Sequence, residues 1–175
     1  MLKETAPQLR RAAVLYNPKV AANVAFLHSA ETAAASLGMT VTPSAANDDT
    51  DIESTLTAFA REPHGGVIVT PSPVTNTKEK RELIVSLAER LSLPAIYPYR
   101  LTATSRELIS YNYDPIAQWQ GAASYVDRIL RGAKPAELPV QAPTKYEMVI
   151  NLKTAKALGL KIPESFLLRA NEVIE

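Results

Sequence analysis

The chain is predicted to be an α/β protein built on a doubly wound parallel sheet. Three observations point there. Gly65–Ser72 (GGVIVTPS) carries an uncharged β-branched run, Val67–Val69, with glycine before it and proline after it, the pattern of a strand buried on both faces. Strand-type runs alternate with helix-type stretches through residue 131, as in a parallel sheet with helices on either side. Proline, glycine and Asx residues punctuate almost every boundary between them, which is where turns and helix caps are expected.

Taken in order, Ala12–Tyr16 (AAVLY) is the first strand, ended by Asn17-Pro18. Val20, Val24, Leu27, Ala30, Ala34 and Leu37 then keep helical spacing, and Gly38 supplies a C-terminal stop. Met39–Thr42 reads as a second strand closed by Pro43. Thr50 and Glu53 form a capping-box pattern ahead of a short helix carrying Ile52, Leu56, Phe59 and Ala60. Gly65 and Gly66 end a turn and open the central strand. A longer helix covers about residues 75–91, with Leu83, Ile84, Leu87, Ala88 and Leu91 as its apolar stripe. Pro94–Tyr97 and Leu108–Tyr111 are further strands. Asp114-Pro115 is an N-cap followed by proline at the first helical position, and that helix runs to Leu130 with Gly132 as its stop.

After Gly132 the composition shifts. GAKPAELPVQAPTK carries three prolines and no helical period, so it reads as an extended connector. Tyr146–Leu152 is a strand, Thr154–Leu158 a short helix stopped by Gly159, and Pro163–Ile174 a final helix. The expected division is a Rossmann-like ligand-binding lobe over residues 1–131 and a C-terminal segment over 132–175.

Composition narrows the function. The 175 residues suit one domain, 46% are hydrophobic, and 19 basic against 18 acidic residues leave a net charge of +1. No Lys/Arg-rich run marks a nucleic-acid or anionic-membrane surface. The absence of cysteine excludes disulfides, thiolate catalysis and cysteine-held zinc. No apolar stretch nears the ~20 residues of a membrane span. The start, MLKETAPQLRR, has no apolar signal core, so the chain as written is expected to stay in the cytoplasm.

Sequence motifs favour binding over catalysis. Phosphate-loop, dinucleotide-turn and nucleophile-elbow patterns are missing. His28 and His64 have no partner at metal spacing and read as structural or exposed. Asn47, Asp48 and Asp49 read as helix-start acids; a phosphoacceptor role would need an acid at the end of the first strand, where Tyr16-Asn17 stands. No catalytic residue, metal site or cofactor is expected. The polar and aromatic content instead gathers at predicted strand ends: Tyr16 and Asn17, then Thr70 and Ser72, then Tyr97 and Tyr99, then Tyr111, Asn112 and Asp114. In a parallel sheet these carboxyl ends share one rim, where open α/β sheets bind ligands. Four of the seven tyrosines would line a site for a small polar solute with a flat part, with Asp114 facing an ammonium group or simply capping its helix.

One family fits these residues. The run Tyr125–Leu160 (YVDRILRGAKPAELPVQAPTKYEMVINLKTAKALGL) resembles the closing section of ABC-transporter solute-binding proteins of the tryptophan/tyrosine type. So do AAVLYNP, GGVIVTPS, LPAIYPYR and ISYNYDP, in the right order over essentially the whole chain. The resemblance implies one lobe of a type I periplasmic-binding-protein fold, with the return segment 132–175 rejoining a first lobe that these residues do not include. By analogy Asn17, Ser72, Tyr97, Tyr111 and Asp114 lie on loops that line the cleft. It also implies a small organic solute such as an amino acid or aromatic acid, an ABC permease as partner, and a periplasmic location. A flavodoxin-like or receiver-like signalling domain, an α/β enzyme, and a truncated non-transporting fragment are the alternatives. Without a first lobe, Val149, Ile150, Leu152, Phe166 and Leu167 of the tail would be uncovered, and a homodimer or tail exchange between chains is expected.

Overall fold

The computed structural model describes residues 1–99 and 106–175; Arg100, the last residue of the LPAIYPYR run, lies outside them. In chain order the elements are α1 (Leu2–Thr5), β1 (Arg11–Tyr16), α2 (Ala21–Ser36), β2 (Thr40–Ala45), α3 (Asp49–Phe59), β3 (Gly65–Val69), α4 (Lys78–Arg90), β4 (Ala95–Tyr97), β5 (Ile109–Tyr113), α5 (Pro115–Leu130), a 3-10 turn (Pro135–Glu137), β6 (Tyr146–Asn151), α6 (Leu152–Ala157), α7 (Glu164–Leu167) and β7 (Glu172–Ile174). They build one seven-stranded sheet in the order β2-β1-β3-β4-β5-β6-β7. Strands β1 to β5 run parallel, β6 pairs antiparallel with β5, and β7 runs parallel to β6. The α/β doubly wound lobe expected from the sequence is therefore present, with β3 near its centre.

Side-chain alternation along the strands feeds two cores. Ala13, Leu15, Val67, Val69, Ala95 and Tyr97 pack with Ile52, Leu56 and Phe59 of α3 and Ile84, Leu87 and Ala88 of α4. Residues of the opposite phase, Ile96, Ile109, Met148 and Ile150, pack with Ala155 of α6 and Phe166 of α7. The start of the chain closes this second layer, with Leu2, Ala6 and Leu9 against Ile68 and Ile96. Gly65 and Gly66 are the first two residues of β3, and close packing fixes them there rather than a turn. A Cβ at Gly65 would lie 2.5 Å from the Phe59 ring, and one at Gly66 would meet Leu2, Leu9 and the Pro94 carbonyl at 3.0 Å.

Several boundaries differ from the sequence reading for local reasons. Strand β2 continues through Pro43 to Ala45 because it is an edge strand paired only with β1, where a missing N–H is tolerated. The cap of α3 is Asp48, not Thr50. Its carboxylate accepts from Asp51 N at 2.9 Å, while Asp51 accepts in return from Asn47 N at 3.0 Å and Asn47 Nδ2 at 2.8 Å. Those bonds to Asn47 hold the Asp51 carboxyl below the usual carboxylate range.

The tail departs most from expectation. The final helix stops at Leu167, and Asn171 then pairs with β6 through its N–H to Met148 O (2.8 Å) and its Oδ1 from Met148 N (2.9 Å). The chain so enters β7; Phe166, Ala170 and Ile174 had mimicked a helical stripe. Val149, Ile150 and Phe166 are buried against this same sheet, and Leu152 and Leu167 are partly buried beside them, so the apolar residues expected to be uncovered are covered within one chain, while Leu168 stays 80% exposed. Most of the exposed apolar surface lies elsewhere. No residue of α5 is buried, and Ile116, Trp119, Val126 and Leu130 stand in solvent, Trp119 at 76% exposure.

Candidate functional site

The carboxyl ends of β1, β3, β4 and β5 form one rim, joined by the amino end of the antiparallel β6. Two hydrogen-bonded knots shape it. At the first, Asn23 is buried near the start of α2. Its Oδ1 accepts the Asn17 N–H at 3.0 Å, and its Nδ2 donates to Pro71 O at 2.9 Å. The Thr70 hydroxyl lies 2.9 Å from both Asn23 Oδ1 and Leu15 O. One amide thus ties the loop after β1 to the loop after β3. Asn17 closes its own turn by accepting from Lys19 N at 2.9 Å.

The second knot is centred on Thr75, which is fully buried. Its hydroxyl donates to Thr70 O at 2.7 Å and accepts from Ser72 N at 3.0 Å. Its N–H donates to the Ser72 hydroxyl at 3.2 Å, and the Tyr99 hydroxyl lies 3.0 Å from Thr75 Oγ1. Burial pushes the Tyr99 phenol up, partly offset by that contact and by the Arg81 guanidinium. Arg81 lies over the Tyr99 ring, 5.0 Å from its centroid. A cavity of about 280 Å³ opens beside this pair, lined by Arg81, Tyr99, Ser110, Asn112, Tyr113 and Glu147.

On the outer side of the rim, the Asp114 carboxylate is almost wholly buried. It accepts from Ile116 N at 2.9 Å and Ala117 N at 3.2 Å, capping α5, and pairs with Lys145 Nζ at 2.6 Å. The hydrogen bond from Lys145 chiefly, then that from Ala117 N, holds the Asp114 carboxyl below its usual range, and the same pair raises the Lys145 ammonium. Tyr111 stacks on Tyr146, ring centroids 5.5 Å apart and planes 10° from parallel.

The residues singled out in the sequence thus have different fates. Asn17, Thr70, Ser72 and Tyr99 come together, but the first three spend their polar groups on the loops themselves. Tyr16 is half-buried at the end of β1. Tyr111 and Asp114 sit farther along the rim, the ammonium facing Asp114 being Lys145 of this chain. Tyr97 does not reach the rim. At 3% exposure it belongs to the core against α4, and burial drives its phenol well above the ordinary range. Asn23, Thr75 and Arg81 were not singled out. Asn23 had a signal, a buried-type position of the α2 stripe between Val20 and Leu27 occupied by an amide.

His28 is exposed, and its ring meets Glu31 at 3.0 Å. His64 sits in a left-handed turn (φ 60°) whose carbonyl accepts from Arg10 and Arg11. Among the described residues no group of three metal-ligating side chains converges.

Comparison with known proteins defines the class. Residues 1–174 match the family model described as ABC transporter substrate binding protein. The chain belongs to that family, whose work is binding solutes rather than catalysis. Among solved structures, an ABC domain in complex with L-Trp from Streptococcus pneumoniae is 25% identical with a TM-score of 0.85; the match covers 99% of this chain and 59% of that one. A conserved domain protein from Vibrio cholerae is 26% identical with a TM-score of 0.86, covering 98% of this chain and 57% of the other. The ligand-free, open form of a substrate-binding protein with adhesive properties from Clostridium difficile shares the fold at 15% identity and a TM-score of 0.72, with 99% and 57% covered. This chain therefore spans somewhat under three fifths of the length of these relatives. No curated protein matches significantly. Family membership displaces the signalling-domain and enzyme alternatives.

Proposed function

We propose that this chain supplies one wall of a solute-binding cleft and serves an ABC importer outside the cytoplasmic membrane, with a small organic solute of the amino-acid or aromatic-acid class as cargo. The rim carries this reading. Two polar knots hold its loops in place, a cavity with tyrosines and an arginine opens beside them, and a relative 25% identical is described in complex with L-Trp. The rim residues proposed to meet the solute are Tyr99, Asn112, Tyr113 and Tyr111, with Asn17, Thr70, Ser72 and Asp114 setting the loops that present them.

The second wall would lie over α5. That helix leaves the lobe at Asp114, returns through the connector to Lys145, and buries none of its own residues. Its exposed apolar side is the face such a wall would cover, and this reading divides the chain differently from the division at residue 131. Residues 115–145 form the arm toward the other wall, whereas 146–175 complete this lobe. A permease would then receive the loaded two-walled protein.

The deciding experiment is a ¹⁵N-resolved NMR titration of this chain with L-tryptophan, L-tyrosine and a non-aromatic amino acid. Saturable shifts confined to the rim support the reading. Shifts scattered over the surface, or none at the solubility limit of all three, would overturn it.

A further inference from the structure

The cavity beside Tyr99 contains a cation whose hydrogen-bonding capacity is incompletely used. Arg81 is half-buried on the first turns of α4. Its Nε is buried with no hydrogen-bond partner among the described residues. Such a group is costly to leave unmet, because it has given up water and received nothing in return. Neighbouring cations on the same helix are already matched, Lys80 with Asp49 and Lys78 with Glu82. Lys145, across the rim, is matched by Asp114. Glu147 also lines the cavity but is engaged in an interaction of its own. Among the described residues lining the cavity, Arg81 is the one cation.

Its surroundings orient it. The Tyr99 ring lies under the guanidinium, and Thr75 fixes the Tyr99 hydroxyl. The guanidinium carbon stands 5.0 Å from the ring centroid, and a planar guanidinium can meet a carboxylate through two parallel bonds. Asn112 and Tyr113 border the same space and can bond or stack with the remainder of the solute.

We infer that Arg81 is the anion anchor of this cavity and that the cargo bears a carboxylate that docks on its guanidinium. This rests on the reading of the rim as one wall of a solute cleft. It adds a requirement that reading does not contain: the acid function is recognised by this lobe, through α4.

The Arg81 side-chain Nε–H gives a resonance of its own, so the test can watch the anchor directly. This chain is titrated with L-tryptophan, with tryptamine, which lacks the carboxylate, and with indole-3-propionate, which lacks the α-amino group. The Arg81 Nε–H signal is expected to shift with both carboxylates and to stay in place with tryptamine. Arg81→Gln is expected to weaken both carboxylates at least about tenfold, with Arg81→Lys in between and the backbone spectrum otherwise unchanged. Rim shifts without movement of the Nε–H signal, or equal binding by Arg81→Gln, would overturn the anchor and leave the cleft reading standing. If none of the three compounds moves any rim resonance, both fall.

Discussion

Asp114 and Lys145 clasp together the two ends of the stretch that separates β5 from β6. The Lys145 ammonium lies 2.6 Å from Asp114 Oδ2, and the Asp114 N–H donates to Lys145 O at 2.9 Å. The same carboxylate caps α5, so a single side chain sets both the start of that helix and its distance from β6.

The clasp predicts a pH dependence. The folded-state carboxyl of Asp114 titrates below its usual value, so its stabilising contribution is complete above the unfolded-state pKa and is lost as pH falls through the lower folded-state pKa. Lys145 behaves conversely: its raised pKa keeps its contribution complete below the unfolded lysine value and removes it as pH rises through the folded one. Thermal melts of the wild type and Asp114→Asn between pH 5 and pH 2 should converge toward the acid end. Parallel curves would show that the clasp contributes nothing.

The buried amide of Asn23 should matter more to folding than its position on a helix implies. Asn23→Ala strands the Asn17 N–H and the Pro71 carbonyl, while the Thr70 hydroxyl keeps Leu15 O as its acceptor. A loss of ~2–3 kcal/mol is expected in urea unfolding. A loss under half of that would mean that the loops find other partners.

Gly65 predicts a paired effect. Gly65→Ala places a methyl against the Phe59 ring and is expected to cost about 1–3 kcal/mol. Phe59→Leu in the same chain should recover part of it, because the clash is with the ring edge. Strict additivity in the double-mutant cycle would refute the contact as the cause.

Trp119, the only tryptophan of the chain, reports on the proposed second wall. At 76% exposure it should emit like a solvated indole and be fully accessible to acrylamide. Raising protein concentration should shift the emission to the blue if α5 seeks an apolar partner. Trp119→Ser should then reduce self-association seen in sedimentation. Constant sedimentation of the wild type up to millimolar concentration would show that α5 is stable as a solvated arm.

With one wall only, binding should be weak. A dissociation constant near 1 mM, about −4 kcal/mol, is expected for L-tryptophan by calorimetry. Submicromolar affinity in a monomer would mean that this lobe encloses its solute unaided.

The α/β alternation was legible because β-branched runs, amphipathic stripes and glycine stops are local signals; Gly38, at φ 61° after α2, is one such stop. The rim could be located because topology places carboxyl ends together. Its internal chemistry could not. Tyr97 and Tyr99 are two residues apart, yet one is core and the other faces the cavity, because β4 ends between them. Thr75 looks like any loop threonine until the loop folds back on it. The placement of the tail is hidden in the sequence for a related reason. Whether Val149 and Phe166 face solvent depends on which sheet β6 joins, and that pairing lies 40 residues away in β5.

The pairing of β5 with β6 makes residues 114–145 an excursion between adjacent strands. Tyr113 and Tyr146 face each other across the ladder, close enough for a tight hairpin to join them. The lobe is thus a closed topological unit from which the arm can be excised or exchanged without unthreading a single strand. A chain shortened in this way would keep all seven strands and every lining residue of the Arg81 cavity except Pro115. Arms of different length could then be grafted on to choose what that cavity faces.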